Sequence, residues 1–244
     1  MKTPDTKYTI IRANSRGGAD HGWLKANHSF SFANYYDPER VHFGALRVLN
    51  DDWVAPMEGF GKHPHDNMEI ITIPLKGELS HVDSMGNSSV ITTGEIQVMS
   101  AGSGVFHSEM NNNKEVAAEL LQIWVYPDTK SVEPRYDQRK LDDSKMKNSL
   151  LNIIKPFGDN NEEGIPIYQQ SWFYLTKLDQ GRSIEYKTKK EGNGLYVFAI
   201  EGNISILGNK LSHRDAISVT EAVSLEIIAE NEAKILIIDV PMKW

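Results

Sequence analysis

The 244-residue chain has no cysteine, which excludes disulfides, thiolate metal ligands, iron–sulfur clusters and a cysteine nucleophile. Any metal it holds must be bound through nitrogen and oxygen. Positive charge is scarce and dispersed: 26 Lys and Arg stand against 33 Asp and Glu, a net charge of -7. No basic stripe of the kind that phosphate backbones require is present, so no direct nucleic-acid ligand is expected. No stretch approaches the ~20 apolar residues that span a bilayer, and the opening MKTPDTKYTI lacks the apolar core of a secretory signal. The expectation is a cytoplasmic globular protein without a membrane partner. The N-x-S sequons at Asn27, Asn87 and Asn203 carry no weight without a secretory route. Long stretches of 3.6-residue periodicity are missing too, which argues against a helical fold.

What the chain has instead is a series of short apolar or alternating runs between turn signals. HSFSFANYY, FGALRVLN, NMEIITIPL, SSVITT, EIQVMS and AAELLQIWVYP are followed by SWFYLTKL, YVFAIEG, NISIL, AVSLEIIAE and AKILIIDVP. Many short strands separated by Gly, Pro, Asn and Asp predict an all-β sandwich or barrel. Between the two groups lies SVEPRYDQRKLDDSKMKNSL, polar and charged, a linker that could carry one short helix. The halves share a pattern: Asn67–Leu79 and Gly194–Ile206 each read as a hydrophobic strand, a glycine turn at Gly77 or Gly202, and a second strand. The chain is therefore expected to be a tandem of two similar β-barrels, residues 1–132 and 150–244, joined by 133–149.

Histidine is also sparse, eight in all, yet two of them sit in GKHPHDNMEI. On an extended segment His63 and His65 point to one face, so both can reach one ion. SAGSGVFHSEMNNN repeats the spacing with His107 and Glu109 after a glycine-rich turn. Two such pairs supply three imidazoles and a carboxylate, a donor set suited to Fe(II), Ni, Co, Mn, Cu or Zn. A chance pair on a polar strand face is the bland alternative, which the second pair in the same half weakens. Glu69 lies an even number of residues from His65, so spacing alone also admits it as the carboxylate. The second half has no counterparts to His63 and His65, and His213 stands alone.

Four other features each have a simpler structural reading beside a functional one. His28, Phe30 and Phe32 share one face of HSFSF and read first as core, with pocket lining as the alternative. Arg12 and Arg16 could form ion pairs or simply face solvent. Trp124 reads as barrel core. Asp66 could orient a ligand histidine or stabilise its turn.

HxHxxxE followed by a glycine-rich turn with a histidine resembles the two-part motif of the cupin superfamily. RANSRGGADHGWL, HSFSFANYYDP, FGALRVLNDD, GFGKHPHDNMEI, GELSHVDSMGN and AGSGVFHSEMN are similar to the signature segments of the pirin family of bicupins over residues 10–135. The second half resembles the metal-free C-terminal pirin cupin more loosely. The resemblance implies one divalent metal, Fe(II) first among those named, on His63, His65, His107 and Glu109, with none in the second half. It also implies oxygenase chemistry on a flavonol such as quercetin with O2, Glu109 being both ligand and base. The alternative within the family is a redox-responsive regulator acting through a protein partner. A monomer is expected in either case.

Overall fold

The computed structural model describes residues 6–244; the first five residues of the opening segment lie outside the described ones. The fold is all-β, in four sheets. A seven-stranded antiparallel sheet runs in the order Arg135–Lys140, Glu95–Ser100, Glu69–Lys76, Ala118–Val125, Leu46–Val54, Leu24–His28, Gly17–Asp20. A four-stranded sheet of Gly59–His65, Val105–Met110, Glu78–Asp83 and Ser88–Thr92 closes over it to make the first barrel.

The second barrel repeats the plan. Its large sheet runs Lys7–Ile11, Ala216–Thr220, Asn193–Glu201, Ala233–Pro241, Trp172–Leu178, Leu151–Pro156, Ile165–Ile167, and its small sheet Ser183–Lys187, Ser224–Ala229, Ile204–Ile206, Asn209–Leu211. The repeat seen in sequence is structural: Glu69–Lys76 and Asn193–Glu201 hold the same place in their sheets. Gly77 and Gly202 end them at φ +71 and +78. A Cβ at either would collide with a carbonyl oxygen, of Ala117 at 2.7 Å and of Glu232 at 2.1 Å, so both turns require glycine.

The edge strands are exchanged. Lys7–Ile11, from the start of the chain, pairs with Ala216–Thr220 in the second half, whereas Arg135–Lys140 pairs with Glu95–Ser100 in the first. The segment 133–149, expected as connecting chain, thus contains a strand as well as the helical turn Asp143–Met146. Backbone pairing holds that strand in place, and its partly exposed side chains (RYDQRK) show no apolar alternation.

The two large sheets pack face to face through one shared core. Ile71, Ile73, Leu121 and Ile123 from the first half meet Phe173, Phe198, Leu236 and Ile238 from the second. Each of these strands is therefore buried on both faces, which explains near-continuous apolar runs in antiparallel strands that would otherwise alternate. The opposite faces fill the barrels, and here the halves diverge. Leu195, Val197, Ile235 and Ile237 join a large apolar cluster in the second barrel. In the first barrel the corresponding strands place Thr72 and Gln122 inward, and apolar packing shrinks to two small clusters.

Candidate metal centre

Three neighbouring strands of the small first sheet each present a pair of chemically active side chains two residues apart. Val105–Met110 lies in the middle; His107 is opposite His63 on one side and Asp83 on the other, and Glu109 is opposite His81. Alternation puts His63/His65, His107/Glu109 and His81/Asp83 on the inner face. Val82, between His81 and Asp83, and Phe106, just before His107, are about half exposed on the outer face. A register shift between His107 and Glu109 marks a bulge against the outer strand, a device that re-aims side chains.

His63, His65 and His107 converge: one ring nitrogen from each lies within 4.8 Å of the others, and the ring centroids are 4.3 to 4.9 Å apart. Glu109 belongs to a second group within the same limit, with His81 and His107, and among the described residues no group contains all four predicted ligands. Glu109 accepts hydrogen bonds from Gln122 Nε2 at 3.0 Å and from Thr72 Oγ1 at 3.5 Å. His63 Nδ1 contacts Gly61 O at 2.7 Å.

Burial governs the protonation of this cluster. It pushes His107 down to about 3, with His63, His65 and His81 adding repulsion. It pushes His65 down to about 4, aided by His63 and opposed by Asp66. Both imidazoles are neutral near pH 7, the form that ligates metals. Burial also pushes the Glu109 carboxyl up to about 7, against the hydrogen bonds from Gln122 and Thr72. Asp52, on the adjacent large-sheet strand, is pushed up to about 8 by burial and then by the charges of Asp51 and Glu109.

The residues present fit a divalent ion. His107 Nε2 is buried without a hydrogen-bond partner, in an imidazole whose ring packs on those of His63 and His65. Such an orphan is costly unless something coordinates it. Asp52 Oδ1, both amide atoms of Gln97 and Trp124 Nε1 are also buried and unpartnered. The first barrel is lined with unused polar capacity.

Glu69 is not part of this centre. The turn at Asn67, with φ +44, carries the chain from the small sheet to the large one, so the parity counted from His65 does not survive the turn. Glu69 shares the face of Ile71 and Ile73, which pack in the core between the halves. There it accepts a 2.7 Å hydrogen bond from Ser100 Oγ. Burial still pushes it up to about 7, opposed by Ser100, by the Arg135 charge and by a backbone hydrogen bond at Tyr168.

The HSFSF residues separate. The strand ends at His28, so Phe30 turns into the shared core against Tyr196 while Phe32 packs on His28 and Trp124. Trp124 in turn contacts His65 at 4.9 Å between centroids. Phe32 and Trp124 make an aromatic wall beside the histidines. Arg12 and Arg16 are both paired: Arg12 is half exposed and bonds Asp215 at 2.7 Å, whereas Arg16 is buried against Asp51 at 3.2 Å. Asp66 accepts from Asn67 Nδ2 and serves its turn.

Sequence reasoning passed over His81, Asp83 and Asp52. His81 and Asp83 carry the same two-apart spacing as the other pairs, inside GELSHVDSMGN, and that spacing was the signal available. His81 Nε2 lies 3.1 Å from Asp83 Oδ2, and His81 Nδ1 lies 3.5 Å from His107 Nδ1.

Comparison with known proteins fits this picture. The Pirin family model matches residues 10–125, and a model described as the quercetinase C-terminal cupin domain matches residues 157–240. The chain is 38% identical over 232 residues to quercetin 2,3-dioxygenase of Escherichia coli (strain K12), covering 95% of this chain and 98% of that protein. It is 36% identical to a pirin-like protein of Caulobacter vibrioides, over 91% of this chain and 95% of that one. The crystal structure of YhhW from Escherichia coli superposes with a TM-score of 0.91 at 36% identity, covering 96% of this chain and 98% of that one. The structure of bacterial pirin YhhW in complex with nickel(II) superposes at 0.90 with 35% identity, over 96% and 99% of the two chains.

Two tandem β-barrels of this topology define a bicupin. This chain belongs to the pirin family.

Proposed function

We propose that the chain is a metal-dependent dioxygenase that cleaves flavonols such as quercetin with O2, its ion held by His63, His65, His107 and Glu109. The observation that carries this reading is the convergence of three imidazoles, one with a buried unpartnered Nε2, beside a buried carboxylic acid on the same strand. The nickel(II) complex of the related YhhW supports a divalent ion; Fe(II) is our first choice because O2 chemistry calls for a redox-active metal. The second barrel, filled with apolar side chains, is assigned no metal. We assign the two domains to residues 1–132 and 150–244 around 133–149, with Lys7–Ile11 and Arg135–Lys140 exchanged across that division as edge strands.

When bound, such an ion would supply Lewis acidity toward the flavonol 3-hydroxyl and electron exchange with O2. The remaining work falls to the protein. Phe32 and Trp124 offer flat apolar faces for a planar ring system. Glu109 takes the hydroxyl proton: burial holds its carboxyl near neutrality, where a general base is most effective. Trp124 Nε1 and Gln97, buried and unpartnered, are free to bond substrate oxygens. The neutral interior of Ile70, Met99 and Val105 beside them limits the access of water.

The test is metal analysis of untagged protein followed by anaerobic addition of quercetin to the iron-loaded form. A red-shifted band from the flavonolate anion, then O2 uptake with release of carbon monoxide on admission of air, is the expected result. Iron-replete protein showing neither would overturn the proposal.

A further inference from the structure

We propose that Asp83 and His81 act in series as positioning residues that hold the proton of His107 on Nδ1, leaving a lone pair on the buried Nε2 of a ring packed against those of His63 and His65. This rests on the ligand set proposed above. It adds two residues and a direction to the hydrogen bonds behind it.

The direction follows from donor counting. Asp83 Oδ1 accepts from the backbone N–H of Met85 at 2.9 Å and of Asn87 at 3.0 Å. Its Oδ2 accepts from Asn87 Nδ2 at 2.8 Å and faces His81 Nε2 at 3.1 Å. A carboxylate only accepts, so His81 must carry its proton on Nε2. A neutral imidazole then has its lone pair on Nδ1, and the group facing that nitrogen is His107 Nδ1 at 3.5 Å. His107 therefore donates from Nδ1, by a long hydrogen bond, and its buried Nε2 is bare. Both rings are buried, so no bulk solvent competes to reverse the order. An outer carboxylate that orients a ligand imidazole through its second nitrogen is a general device of metal sites; here a second imidazole stands between the two.

Asp83→Asn reverses the order without changing shape. The two backbone N–H groups keep the amide oxygen at the Oδ1 position, so the new amide nitrogen takes the Oδ2 position and points at His81 Nε2, while the Asn87 side-chain amide, which donated there at 2.8 Å, turns over to present its oxygen. His81 then protonates on Nδ1 and donates to His107 Nδ1, forcing the His107 proton onto Nε2. A related reversal is known for the catalytic triad of serine proteases, where Asp-to-Asn leaves the geometry intact and spoils the tautomer.

The experiment records ring 15N spectra of histidine-labelled, metal-free protein, with His107 assigned by His107→Ala, and then titrates nickel(II). Expected for the wild type is a His107 ring protonated on Nδ1. Expected for Asp83→Asn is the opposite tautomer, with nickel affinity about 10- to 100-fold weaker and little change in the thermal midpoint of the metal-free protein. His81→Asn, whose side-chain oxygen can take the place of the accepting Nδ1, is expected to keep the wild-type His107 tautomer and to stay within about threefold of its nickel affinity, short of the loss expected for Asp83→Asn. A wild-type His107 protonated on Nε2, or an unchanged tautomer in Asp83→Asn, overturns the proposal whatever nickel does. Wild-type protein that takes up no nickel overturns the ligand set instead, and the spectra still decide the tautomer.

Discussion

Replacing Glu109 by Gln is expected to stabilise the metal-free protein at alkaline pH and to leave it unchanged at acidic pH. The carboxyl goes from 4.5 in a free chain to about 7 in the fold because it is buried. At about 1.4 kcal/mol per tenfold change in proton affinity, ionising it costs the folded state about 3 kcal/mol. The sign is fixed by which state binds the proton more tightly. With the folded value raised, the group destabilises nothing below pH 4.5; the penalty grows as pH rises and is complete above about 7. Gln does not titrate, and its amide can accept from Gln122 and donate to Thr72, the two partners Glu109 already has. Urea unfolding with a chelator should therefore show the two proteins alike near pH 4.5 and Glu109→Gln ahead by about 3 kcal/mol at pH 8. With nickel(II) present the order should invert, because the ion prefers the carboxylate and stabilises only the form that binds it. An equal difference at both pH values, or a variant weaker at pH 8 without metal, would show that Glu109 is not a neutral buried acid and would remove the basis for its role as base.

The other expectations concern ligands, aromatics and turns. His63→Ala, His65→Ala and His107→Ala should each remove most of the metal measured by elemental analysis, whereas Glu69→Gln, bonded to Ser100 away from the centre, should retain it; an empty Glu69→Gln would restore Glu69 as a ligand. Trp124 packs on His65, so nickel or iron should quench its fluorescence, and Trp124→Phe should remove that part of the quenching. Gly202→Ala, at φ +78 with a carbonyl 2.1 Å from the new Cβ, should cost at least about 1–3 kcal/mol in urea unfolding. Gly181→Ala, at φ +75 in open space, should cost less.

The two-barrel plan was legible because each barrel strand carries its own apolar pattern and because Gly77 and Gly202 punctuate the repeat at the same place. The exchanged edge strands were not, since RYDQRK pairs through its backbone and leaves most of its side chains half in solvent. The histidine pairs were legible as same-face pairs within a strand. Extending that parity from His65 to Glu69 failed because the count passed through a turn with positive φ at Asn67 into another sheet. His81 and Asp83 show the opposite case: their parity was sound, but their place beside His107 depends on which strands are neighbours, and strand order is a tertiary fact. Asp52 had even less to announce it, one acid among 33 acidic residues, since its buried state depends on Leu46–Val54 turning that position inward.

The same topology has been put to two uses, and the difference lies in a few inward positions. On the strands next to the shared core, the first barrel places Thr72 and Gln122 inward where the second has Val197 and Ile237 as part of an apolar filling. Each apolar side chain fully buried contributes about 1.5–3 kcal/mol, so the second barrel strengthens the fold that the first barrel weakens with Asp52, Glu109 and several unpartnered polar atoms. The face-to-face core couples the two, which lets one half carry a costly polar interior while the other half supplies stability. On this account a polar residue placed in the second barrel should cost more than the same residue in the first. Val197→Thr, which keeps the shape and adds one hydroxyl in an apolar cluster, should lower stability by about 1–3 kcal/mol, and Thr72→Val, which removes a hydroxyl bonded to Gln122, should change it by less. If unfolding free energies in urea showed the reverse ranking, the division of labour between the barrels would be wrong.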